Sequence, residues 1–94
     1  MDAFIRDNQI IIRNFERSPE RPIFDKIVKA FEAAKDINIL RKIDGPSEDI
    51  VKAECNGGDI FLCYDIDYEI CPIRCTDKNI NAVFDIINNV ITEN

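Results

Sequence analysis

The chain has 94 residues, 46% of them apolar and 32% charged, with no histidine and a formal net charge of −6. That length supports one modest core and the composition excludes general disorder, while the negative charge argues against nucleic acid or an anionic membrane as a nonspecific partner. The charge is uneven: residues 44–69 hold eight acids against one base, Lys52, for a local −7, whereas residues 1–43 hold seven acids and nine bases.

The first residues, MDAFIRDNQIIIRNF, carry acids at Asp2 and Asp7 and no continuous apolar run. They match neither a secretory signal nor a membrane span, so a cytoplasmic location is expected. Residues 9–15 are β-prone, and residues 1–17 read as a peripheral arm or an edge strand. Ser18 then reads as a helix N-cap, with Pro19 at the first helical position and Glu20 in the first turn; Pro22 is tolerated there or moves the start later. Ile23, Phe24, Ile27, Val28, Phe31 and Ala34 make an apolar stripe, with Lys26, Lys29 and Lys35 off its centre.

Residues 37–43 read as a strand, followed by the turn Asp44-Gly45-Pro46-Ser47 and a second strand over Ile50 to Cys55. Asn56-Gly57-Gly58 is a hairpin signal, because asparagine and glycine tolerate positive φ. In either two-residue register, Val51, Ala53 and Cys55 share a face with Ile60, Leu62 and Tyr64 of the third strand, about Asp59 to Tyr64. Apolar residues then continue at even positions to Ile70, and acids occupy odd ones. A three-residue turn at Asp65-Ile66-Asp67 would place Tyr64 near Tyr68 and Leu62 near Ile70; one long bent strand is the alternative. Pro72 limits the last strand to an edge or an early end. Thr76 reads as the cap of a final helix whose stripe is Ile80, Val83, Phe84, Ile87 and Ile91. The expected fold is one α+β domain over residues 1–94: a small antiparallel sheet of three or four strands, packed on one face by two helices, in the order arm-α-β-β-β-β-α.

The acidic face of that sheet carries Asp59, Asp65, Asp67 and Glu69 around Phe61 and Cys63, joined by parity with Cys71 and Ile73. Either the N-terminal arm covers Phe61 and Cys63, or a bulge changes the alternation, or the cluster is an apolar patch rimmed by carboxylates. An exposed patch of that kind suits a basic protein partner, with apolar contact supplying affinity and charge speeding encounter. Asp65-x-Asp67-x-Glu69 lacks the central glycine and the later bidentate acid of a calcium loop. The cysteines 55, 63, 71 and 75, at spacings of 8, 8 and 4, contain no CxxC pair;. No metal, cofactor or catalytic residue is therefore expected, and free thiols are the simpler reading.

Three functions remain on sequence grounds. The first is a small non-enzymatic interaction domain that binds and masks a basic protein surface, for example as an immunity protein or inhibitor of a nucleic-acid-cleaving toxin, without touching nucleic acid or membrane. The second is a thiol-dependent redox or regulatory domain using Cys71 and Cys75, with Arg74 stabilising a thiolate, although no histidine is present to serve a cysteine nucleophile. The third is a structural role in which the Phe61 face packs on another copy as a homodimer.

Overall fold

The computed structural model describes residues 1–93. In chain order the elements are β1 (Asp2–Arg6), β2 (Gln9–Arg13), α1 (Arg21–Ala33), β3 (Ile37–Asp44), β4 (Glu48–Cys55), β5 (Gly58–Asp65), β6 (Glu69–Ile70), β7 (Ile73–Arg74) and α2 (Ile80–Thr92). The sheet has seven strands rather than three or four, in the order β1-β2-β7-β5-β4-β3, with β6 also paired to β5. Every pairing is antiparallel.

Two features account for the extra strands. Residues 2–13 form a hairpin closed by Asp7 and Asn8, whose φ values of 51° and 61° give the left-handed pair that a two-residue turn requires;. Without a glycine the turn is hidden inside one β-prone run. The last strand of the meander is also interrupted at Cys71-Pro72, because proline has no amide to give the ladder. Tyr64 pairs with Ile70, yet Phe61 pairs with Arg74, so three steps along β5 match four along β6 and β7. The extra residue is a bulge and reverses facing direction beyond it.

Both helices lie on the same side of the sheet. Ile23, Phe24, Ile27 and Phe31 of α1 and Ile80, Val83, Ile87, Val90 and Ile91 of α2 share one buried cluster with Ile10, Val51, Ile60 and Leu62 of the sheet. The helices begin later than Ser18 and Thr76 suggest. Ser18 is tied back to Asn14, whose Nδ2 donates to the Ser18 carbonyl while its Oδ1 accepts from the Ser18 amide. α1 therefore starts after Glu20, with Pro22 in its first turn. Thr76 Oγ1 accepts from the Lys78 amide within a separate turn, and α2 follows Asn79.

Asn79 is 1% exposed and joins that turn to the β4–β5 hairpin. Its Nδ2 donates to the carbonyls of Cys55 (3.1 Å) and Gly58 (2.9 Å), and its Oδ1 accepts from the Thr76 amide (3.0 Å). The hairpin turn is Asn56-Gly57, with φ of 53° and 78°. Gly58 is needed for space, since a Cβ there would lie 2.1 Å from Thr76 Oγ1.

Candidate functional site

Among the described residues, the opposite side of the sheet carries no helix, and the strand registers align its side chains in cross-strand rows. One row is Phe4, Ile11, Cys71, Cys63, Ile50 and Ile43, an apolar line in which the Cys71 amide donates to the Cys63 carbonyl. Two residues along each strand, or three across the bulge from Cys71, is a second row: Arg6, Gln9, Arg74, Phe61, Lys52 and Arg41. Two residues the other way stand Asp2, Arg13, Glu69, Asp65 and Glu48. Asp59, Glu54 and Asn38 lie beyond the basic row. The face is thus striped, and not uniformly acidic: its basic row is assembled from residues far apart in the chain.

The arginines lie on aromatic rings. Arg74 stacks 4.3 Å from the Phe61 ring centroid, and Arg13 and Arg6 lie 5.0 and 5.7 Å from that of Phe4;. Phe61 is consequently half-buried, covered by Arg74 rather than by the N-terminal arm. Beside it, Leu40, Lys52, Asp59, Phe61, Arg74 and Thr76 line part of an open cleft of about 500 Å³.

The sequence-derived candidates fall in four environments. Asp59 and Phe61 are on the striped face, the first exposed. Cys63 is also there but only 5% exposed, its Sγ 3.7 Å from Glu48 Oε2. Ile73, expected on the acidic face, is fully buried in the helix-side core because the bulge reverses its direction, which removes it from the patch. Asp65, Asp67 and Glu69 come together at the β5–β6 turn.

That turn carries two exposed large apolar side chains, Ile66 and Tyr68. Its three residues are Ile66-Asp67-Tyr68, one position later than expected, and Tyr64 faces Ile70 rather than Tyr68. Asp65 Oδ1 accepts from the amides of Asp67 (2.8 Å) and Tyr68 (3.1 Å), the Ile66 amide donates to the Ser47 carbonyl (2.9 Å), and Glu69 takes the left-handed φ of 62° that closes the turn;. These bonds present Ile66 at 66% and Tyr68 at 82% exposure. The turn expected at Asp65-Ile66-Asp67 exposes Ile66 but leaves Tyr68 core-facing; Asp65, a side chain suited to starting a turn, is the signal for the later position. Among the described residues, Asp44, Glu48, Asp65, Asp67 and Glu69 form no ion pair, so the tip keeps its negative charge.

The two thiols of the redox alternative, Cys71 and Cys75, have different neighbours. Cys71 meets Cys63, while the amide of Cys75 donates to the Asn8 carbonyl and its sulfur lies near Cys55. Burial, with Cys71 and Glu48 adding to it, pushes the Cys63 thiol up to about 12; burial and then Cys55 push Cys75 up to about 11. Cys55 is also raised, by burial first and Asp36 second. All four cysteines are free. Arg74, expected to stabilise a thiolate, instead lies over Phe61. Among the described residues, no group of three or more His, Cys, Asp or Glu side chains is arranged to hold a metal ion, and no helix is long and apolar enough to cross a membrane.

Comparison with protein-family models, with curated proteins and with solved structures gives no match to this chain.

Proposed function

We propose that this protein is a small acidic interaction domain that binds a basic protein surface through the β5–β6 tip. The observation that supports this reading is the exposure of Ile66 and Tyr68 on a turn whose three amides donate to the Ser47 carbonyl and the Asp65 carboxylate, among carboxylates that form no ion pair among the described residues. Tyrosine offers a large, rigid contact, and a preformed turn loses little entropy on docking. The surrounding charge steers the tip toward a cationic surface and disfavours acidic competitors. A basic cleft that normally holds nucleic acid fits this chemistry, so masking a nucleic-acid-cleaving enzyme is the concrete form of the proposal. Inhibition would come from occupancy, with no bond made or broken by this chain.

Isothermal titration of the full chain against a panel of basic ribonucleases and deoxyribonucleases tests the reading. The expected result is a complex that weakens with salt, loses about 30-fold in affinity with Tyr68→Ala and is abolished by joint reversal of Asp65, Asp67 and Glu69 to lysine. Absence of a specific complex across the panel, or a complex indifferent to those changes, would overturn it.

A further inference from the structure

We infer that the striped sheet face pairs with the same face of a second copy of this chain, with the two-fold axis running along the apolar row. This inference shares Asp65 and Glu69 with the proposal for the tip but not Ile66, Asp67 and Tyr68, which lie outside the stripes, so Tyr68 is the residue that tells the two apart.

The stripes restrict the occupant. Six carboxylates (Asp2, Glu48, Glu54, Asp59, Asp65 and Glu69) share this face with five bases, Arg6, Arg13, Arg41, Lys52 and Arg74. A polyanion on the basic row would therefore have carboxylates on both sides, the nearer only about 7 Å away. A complementary surface must instead offer acidic, apolar and basic lines in reverse order at the same spacing.

The chain itself supplies that surface in one of its two simple face-to-face arrangements. An axis along the strands reverses their order and stacks the basic row on itself, setting Arg6 over Arg41 and Gln9 over Lys52. Repulsion excludes that geometry. An axis along the apolar row leaves every strand over its own copy and inverts the rows. Phe4, Ile11, Ile50 and Ile43 then meet their equivalents, and the basic row meets the acidic one.

The register carries the match to individual residues. Lys52 faces Glu48 of the second copy and Arg74 faces Glu69, each pair occurring twice, while Arg6 comes over Asp2, which Arg13 of its own chain already holds. Neither Lys52 nor Glu48, nor Arg74 nor Glu69, forms an ion pair within a single chain among the described residues. The stripes span about 24 Å across six strand positions and about 20 Å along them. Pairing would bury about 1,000 Å² in total, the lower end for a specific interface. A reversible dimer with a dissociation constant in the micromolar range follows, its sheets crossing at about 30° as aligned sheets do.

Sedimentation velocity of the full chain from about 1 µM to about 1 mM tests this. The expected result is a monomer–dimer equilibrium weakened by salt, weakened about tenfold or more by Lys52→Glu, and restored to within about threefold by Lys52→Glu combined with Glu48→Lys. The restoration is specific to this axis, since on one strand the two positions are about 13 Å apart and cannot compensate internally. Arg74→Glu with and without Glu69→Arg repeats the test if either first variant melts early by circular dichroism. Tyr68→Ala should leave the dimer unchanged, which separates this result from that of the tip. A monomer at every concentration, a dimer indifferent to Lys52→Glu, or a loss that the swap fails to restore would overturn the inference.

Discussion

Replacing Asn79 tests whether one buried amide holds the β4–β5 hairpin to the start of α2. Its side chain donates to the Cys55 and Gly58 carbonyls and accepts from the Thr76 amide, all within 3.1 Å, at a site 1% exposed. Asn79→Ala leaves these three backbone groups without their partner, and at about 1 kcal/mol each the loss is about 3 kcal/mol. A chain of this size is stable by about 5–14 kcal/mol, so a substantial fraction is at stake. With a urea m-value of about 1.5 kcal/mol/M, the unfolding midpoint should fall by about 2 M at unchanged slope. Asn79→Asp separates hydrogen bonding from packing, because it keeps the shape and the Thr76 contact but turns a carboxylate toward two carbonyl oxygens. It should cost at least as much as alanine at neutral pH. An aspartate variant within about 0.5 kcal/mol of the parent would refute the assignment of the stabilisation to those donated bonds.

Gly58→Ala should destabilise the fold by about 2–3 kcal/mol in the same assay, since its Cβ would meet Thr76 Oγ1 at 2.1 Å;. Adding Thr76→Ala should recover part of that loss, whereas Thr76→Ser, which keeps the oxygen, should not; equal behaviour of the two doubles would place the clash elsewhere. Alkaline pH gives another expectation from the raised thiols. Cys63 and Cys75 sit at about 12 and 11 against an ordinary 9.0, so losing their protons favours the unfolded chain;. Their contribution is complete below about pH 9 and disappears as pH rises from there toward 12. Urea unfolding under reducing conditions should therefore show stability falling above about pH 9, less steeply in Cys63→Ala than in the parent, and identical slopes would contradict the cause given.

The sequence made the parts of the fold with local signatures legible. The stripe from Ile23 to Phe31 is the buried side of α1, and Asn56-Gly57 closes the hairpin that fixes Val51 and Ala53 beside Leu62 and Ile60. Other features needed information that no local window contains. Asp7-Asn8 closes a hairpin in left-handed geometry without glycine, so β1 and β2 read as a single arm. The bulge at Cys71-Pro72 changes which side of the sheet follows it, which moved Ile73 from a surface candidate to the core. The basic row joins residues from positions 6 to 74, and only the register of six strand positions brings them into line. At the tip, the expected turn Asp65-Ile66-Asp67 leaves Tyr68 on the core-facing side of the next strand, whereas the two amides bound by Asp65 set the turn one residue later and carry Tyr68 out of the ladder.

The placement of the first hairpin sets an order of events as the chain is made. Among the described residues, β2 joins the rest of the sheet through β7, at Gln9 with Arg74 and Ile10 with Ile73. Some sixty residues must therefore be synthesised between the two partners. The hairpin can close on its own as soon as it emerges, but a lone two-stranded hairpin is barely stable and has no sheet to cover Ile10. Docking waits for a long loop to close, which is slow compared with local pairing. The first hairpin thus waits for most of the domain to follow it, and until then Phe4, Ile10, Ile11 and Ile12 form a sticky edge open to other chains.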